Sequence, residues 1–390
     1  MSEPRPNTAV RRFALARLAS ATGSAASFAA LNYVVFESTR SSAWLAATLL
    51  LTFGTVAVVS PATGMLGDRF DRKAVMIASD LSVAVAFAAM AFVESIGLIV
   101  GLAFLATLVH TAFPAAAAGA LPNLVPDEAL AHANSTLEVA GQAGFILGPL
   151  LGGAAVPSVG AGTVFLGNAA SFIVSAALIG SVAGRFAREQ KHDAKERSVL
   201  SGVRLLVRVR VLRAVAIIYF AISLGIGITI VANVPLARSL GVGSLGYGSL
   251  IAVWGAGSVL GALAGRTMTA ASEPGGFFAG CALVGLAAGG VVVSPWFALA
   301  LLALALMGLG DGIAAVASAG IVQRTVRDHV RSRVVGSLSS ILAVGLVLSY
   351  VLAVPVLSLV GPRGSYAIGA LISLAPMPFL IRAFFGRPRP

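Results

Sequence analysis

The chain reads as an all-α membrane protein of twelve transmembrane helices in two pseudo-symmetric six-helix bundles, and three observations lead there. Hydrophobic residues make up 58% of the 390 and charged residues 11%, with a mean hydropathy of +0.94, whereas an ordinary soluble domain is about a quarter charged. The apolar residues form continuous runs rather than alternating ones, which selects helices over a β-barrel. The basic residues gather between alternate pairs of runs, as they do in a chain threaded through a bilayer.

Each span needs roughly 20 apolar residues, and twelve runs qualify: 13–36, 43–67, 74–93, 96–121, 137–156, 161–183, 211–236, 246–264, 277–293, 296–321, 335–360 and 365–385. The first follows Arg11 and Arg12 and has no short apolar core with a cleavage site, so it is kept as a span. The second ends on Gly64 and Gly67, which remove side chains where helices approach closely. A dense charged loop precedes the third, which carries Asp80 two turns in, where it is expected to pair with a basic residue of that loop. His110 lies near the middle of the fourth, and the fifth carries a regularly spaced glycine face. After the sixth comes the long charged linker, so the boundaries are 1–184 for the first bundle, 185–210 for the linker and 211–390 for the second bundle. Of the 27 basic residues, Arg40, Arg238 and Arg363 alone fall on the outer side if both termini are cytoplasmic. The net charge of +12 then belongs to span flanks facing anionic lipid, and nucleic acid is excluded.

The two halves repeat. Gly64-Met65-Leu66-Gly67-Asp68-Arg69 lines up with Gly261-Ala262-Leu263-Ala264-Gly265-Arg266, and Gly119 and Asp127 line up with Gly320 and Asp328. Such a duplication is the usual build of a secondary transporter, with the substrate held at the midplane and alternating access by rocking of the halves. The sequence contains no GxxxxGK[ST], HExxH or GxSxG run. Four dispersed histidines and the single Cys281 make no metal set and no internal disulfide. The chain is therefore read as a non-enzyme without cofactor or metal, driven by an ion gradient.

The loop from Gly64 to Val75, GMLGDRFDRKAV, packs Asp68, Arg69, Asp71, Arg72 and Lys73 between two apolar runs. It resembles the signature loop between helices 2 and 3 of the major facilitator superfamily. The resemblance implies a conformational latch made of Gly64, Asp68, Arg69, Arg72 and Lys73. In it Asp68 would face the positive start of helix 11, near Arg333, and Arg69 and Arg72 would bridge to Asp127, Glu128 or Asp328. The competing reading is a solvated turn whose basic residues only fix topology. In helix 5, Gly144, Gly148 and Gly152 share one face, Pro149 removes a backbone donor and bends the helix, and Gly153 follows. This run is similar to the family's antiporter motif, which implies exchange of a drug for protons; tight packing alone is the plainer reading. DRFDRK followed by Asp80-Leu81, the stretch 121–134 and the stretch 167–178 look like the bacterial drug and siderophore exporter branch related to the enterobactin exporter. That branch often has an aspartate early in helix 1, where this chain has Ser24, Ala25 and Ser27.

An ionisable group inside a membrane is costly and tends to be functional. Asp311, in the tenth run between Gly308, Gly310 and Gly312, is the expected coupling acid, its glycines leaving room for water or substrate. The repeat places His110 at the equivalent point of helix 4. The family fold lines its cavity with helices 1, 4, 7 and 10, which implies that His110 and Asp311 face each other, Asp311 binding a proton in the outward state and releasing it inward. The alternative makes both packed structural residues. Asn32, Gln142, Tyr219 and Asn233 are expected to add cavity polarity, against the alternative of interhelical hydrogen bonds. The function expected is secondary export of hydrophobic or amphipathic small molecules by proton antiport, from a monomer in a bacterial cytoplasmic membrane. The partners are then the small molecule, protons and the lipid bilayer. A siderophore or metabolite exporter of the same fold is the alternative, and a non-transporting sensor or passive channel represents a different class.

Overall fold

The computed structural model describes residues 6–56, 59, 70–182, 186, 199–326 and 328–384. Among these there is no strand. The first helix, α1, runs Pro6–Thr39. The next, α2, covers Ser42–Leu49, with the Ser41 hydroxyl accepting from the Trp44 amide, and continues as a π-helical turn over Leu50–Gly54. Then come α3 at Arg72–Met90 and α4 at Ile96–Asn123, the latter interrupted at Thr111.

Residues 130–180 form one 51-residue helical stretch except at Gly160, whose φ of 79° and ψ of 159° are not helical. That glycine is a reversal. Gly148 sits against Thr22, Ala25 and Ala26 of α1, while Gly23 of the same helix sits against Asn168 and Ser171. Two points twenty residues apart on a straight helix would be about 30 Å apart and could not meet the same turn of α1. The stretch therefore divides into α5 (130–159) and α6 (161–180). The same argument divides 328–374 at Gly361, where φ is 69°: Gly227 approaches Ser349, and Gly225 approaches Gly369 and Ser373. A left-handed φ strains any residue with a Cβ, so glycine is the natural choice at both corners.

The later helices are α7 (Arg210–Ser239), α8 (Gly243–Gly265), α9 (Glu273–Val293), α10 (Phe297–Thr325), α11 (328–360) and α12 (362–374). Two short helices, Val199–Arg208 and Met377–Phe384, flank this set. Among the described residues eight helices are long and apolar enough to cross a membrane, and two of these are the doubled stretches. With α1 and α2 the arrangement is consistent with twelve spans.

Contacts group the chain into two compact units, Met1–His192 with Gly243–Ala252, and Asp193–Val242 with Val253–Pro390. Inside the first, Phe13, Met76, Phe113, Ile179 and Phe186 form one buried cluster, and Leu31, Val35, Met90, Ile99 and Phe165 another. Leu98, Leu105, Leu151 and Ile173 stay exposed. A folded unit that turns large side chains outward on helix after helix suits a lipid surround, where helices already satisfy their own backbone groups.

Candidate functional site

In the first unit the glycine face of α5 is filled by backbone. Side chains built at Gly144, Gly148 and Gly152 would overlap Ala21, Thr22, Ala25 and Ala26 of α1. Gly153 and Pro149, on the adjoining face, receive the start of α8: the Ser244 hydroxyl donates to the Gly153 carbonyl at 2.8 Å, and Gly248 lies on the Pro149 carbonyl. Pro149 offers no backbone N–H to the turn before it. The motif thus clamps α5 between two helices.

At the start of α3, Asp71 is the N-cap, its Oδ1 accepting from the Ala74 amide at 2.8 Å. Arg72 lies over Gly119 at the end of α4 and donates to the Gly119 carbonyl at 2.6 Å and the Phe186 carbonyl at 3.4 Å. Lys73 donates to the Val182 carbonyl at 2.8 Å and stands 5.4 Å from the centre of the Phe186 ring. Two cations thus close the carbonyl-rich ends of α4 and α6, where the helix dipole favours positive charge. Gly64, Asp68 and Arg69 lie outside the described residues, as does the side chain of Asp127.

His110 stacks on Phe113, ring centres 5.4 Å apart at 14°, and meets the edge of Phe172 at 5.4 Å. Asn32 is buried and donates to the Phe28 carbonyl of its own helix, and exposed Gln142 donates to Glu138 of its own helix at 2.9 Å. Asp80 departs from expectation. Its buried carboxylate faces Ser175 of α6, with no hydrogen-bond partner on either oxygen among the described residues, while Arg72 and Lys73 are turned to carbonyls.

In the second unit four helices bring polar groups together. Asp311 of α10 faces Ser258 of α8 and lies within electrostatic reach of Tyr219 on α7 and Cys281 on α9. Tyr219 hydrogen-bonds Ser318 of α10 through its hydroxyl and sets its ring across Phe277 at 5.8 Å. Asn233 accepts from the Tyr366 hydroxyl of α12. The glycines around Asp311 leave no open room. Gly308 and Gly312 lie on the backbone of Trp254 and Ser258, and Gly310 lies on Gly280 of α9. Glycine spacing alone does not separate an empty notch from a seat for a neighbouring backbone, and here it is the seat that fixes Asp311 between α8 and α9.

One ion pair escapes the sequence reading altogether. Glu273, at the first position of α9, is 6% exposed and accepts from Nε of Arg324, near the end of α10, with both oxygens at 3.1 Å. Its carboxylate rests on Gly320. The repeat contains the signal, since the offset joining Gly119 to Gly320 also joins Arg72 to Glu273.

The sequence profile of the Major Facilitator Superfamily matches residues 13–272. An uncharacterized MFS-type transporter of Bacillus subtilis, YfiS, is 27% identical over 308 residues, 75% of this chain and 73% of its own length. The multi-drug resistance efflux pump PmrA of Streptococcus pneumoniae is 33% identical over 125 residues, 32% of this chain and 31% of the pump. Among solved structures, the nucleoside transporter NupG superposes with a TM-score of 0.80 at 12% identity, covering 96% of this chain and 99% of the transporter. A bacterial homologue of the iron transporter ferroportin in an inward-facing state gives 0.72 at 14% identity, covering 96% and 98%. With two thirds of its length matched by the family profile and the helical architecture shared by these transporters, the chain belongs to the Major Facilitator Superfamily.

Proposed function

We propose that this transporter exports hydrophobic or amphipathic small molecules from the bacterial cytoplasm in exchange for protons, with both termini cytoplasmic. The observation that carries the coupling is Asp311. It is an acid within a span, grouped with Ser258, Tyr219 and Cys281 on three further helices. A carboxyl so placed gains or loses a proton at the expense of its surroundings, so proton binding and helix packing are linked. The likeness to an efflux pump of Streptococcus pneumoniae over a third of the chain, and to a multidrug resistance protein of Dickeya zeae over 171 residues, supports outward movement of drug-like compounds. The α5 clamp of Gly144, Gly148, Pro149, Gly152 and Gly153 serves as the rigid element of the antiporter. Arg72 and Lys73 serve as the described part of the cytoplasmic latch.

Accumulation of a lipophilic dye in cells tests the reading. Cells expressing the chain accumulate less dye while the proton gradient stands, and the difference vanishes when the gradient is collapsed. Asp311→Asn reduces gradient-driven export at least tenfold with the protein still in the membrane. Undiminished export by this variant removes Asp311 from the coupling step. Equal accumulation with and without the chain removes drug export, and a siderophore or metabolite exporter is then read by repeating the assay with those compounds.

A further inference from the structure

At one end the second unit carries an exposed surface of mixed basic and apolar side chains. In the linker helix Val199–Arg208, Leu206 is 2% exposed while Arg204, Arg208 and Val207, the last 58% exposed, face outward. This helix packs against α7 and against the 328–374 stretch. In the last helix, Met377–Phe384, Met377 and Leu380 are buried, and Phe379, Ile381 and Arg382 are exposed. Arg210 donates to the Arg382 carbonyl and Arg213 to the Val207 carbonyl, stitching the two short helices to the start of α7.

Within the linker helix, α7 and the C-terminal helix the charge has one sign. Neither 199–240 nor 374–390 contains an aspartate or glutamate. Glu273, at the start of α9, is committed to Arg324. Five exposed arginines, 204, 208, 210, 213 and 382, therefore share a surface with exposed Val207, Phe379 and Ile381. Water-facing helices gain nothing from that mixture. At a bilayer boundary the apolar side chains enter the acyl edge, and planar guanidinium groups take phosphate oxygens in pairs.

We propose that the linker helix and the C-terminal helix form a collar that binds the headgroups of anionic phospholipids. The collar anchors the start of α7 to the membrane surface. It rests on charge and packing within the second unit, so it stands whether or not the transported molecule or proton coupling is as proposed above. Each arginine lost weakens retention of an anionic headgroup by about fivefold.

The test is thermal unfolding of the purified full chain in detergent, titrated separately with phosphatidylglycerol, phosphatidylcholine and inorganic phosphate. Phosphatidylglycerol raises the apparent melting temperature, and phosphatidylcholine and phosphate do not. R204Q/R208Q raises the half-saturating phosphatidylglycerol concentration about 25-fold, while R11Q/R266Q, which removes two exposed arginines elsewhere, leaves it unchanged. Should R204Q/R208Q fail to fold, R382Q leaves the linker helix intact and raises that concentration about fivefold. Equal shifts by the two lipids, equal loss in both double variants, or a shift produced by phosphate alone overturns the proposal.

Discussion

The helix α3 opens on Arg72 and the helix α9 opens on Glu273, at equivalent points of the repeat. Each lies against a glycine near the end of the following helix, Gly119 in one case and Gly320 in the other. The charges are opposite, yet both corners satisfy the same electrostatic demand. A helix start favours an anion and a helix end favours a cation. In the first unit Asp71 caps α3 and supplies the anion, which frees Arg72 to reach the carbonyl end of α4. In the second unit Glu273 is itself the anion at the start of α9, so the cation has moved to Arg324 on α10. The duplicated halves have kept the field and exchanged the residues that make it.

Charge inversion separates the corners most sharply. E273R sets a buried cation against Arg324, and its carboxylate partner is gone; leaving a buried charge uncompensated ranks among the most damaging substitutions. The variant is expected to lower the apparent melting temperature more than R72E does, because Arg72 is only half-buried. E273R/R324E restores opposite signs and recovers at least half of the loss. Thermal unfolding of the three variants in one detergent checks this. Equal losses for E273R and R72E break the comparison, since burial of the charge would then not decide the cost.

The corners also show what pattern reading can and cannot reach. The apolar runs and the glycine face of α5 were legible because they follow from periodicity and from the absence of side chains. Asp311 was legible as an acid in a greasy run. Its neighbour Ser258 was not, since a serine in a helix ordinarily bonds its own backbone. The glycines beside Asp311 were expected to open space and are instead filled by α8 and α9. His110 is embedded between Phe113 and Phe172, a packing that no spacing rule announces. Glu273 passed unnoticed because a lone acid at a span edge looks solvated until its burial is known.

The two glycines sharpen the comparison at a smaller scale. Ala at Gly119 presses on the end of the half-buried Arg72 side chain, which has room to shift. Ala at Gly320 presses on the Glu273 carboxylate, which is buried and tied to Arg324. G320A is expected to destabilise by about 1–3 kcal/mol, the usual range for overpacking, and G119A by less than half of that. A reversed order in denaturant or thermal unfolding would place the rigid corner in the first unit.

The smallest effect tests why the first unit needs a separate anion. Asp71 caps α3 at the position just before Arg72. D71A removes the side-chain acceptor for the Ala74 amide and is expected to cost about 1 kcal/mol, whereas D71G costs a few tenths. Because Arg72 at the next position opposes the dipole of α3, the loss of Asp71 should be larger in R72 protein than in an R72Q background. Stability of D71A, R72Q and the double variant, measured at low and high salt, isolates that coupling. Simple additivity at low salt would mean that Asp71 acts as a cap alone, and that the anion in the first unit is not there to balance Arg72.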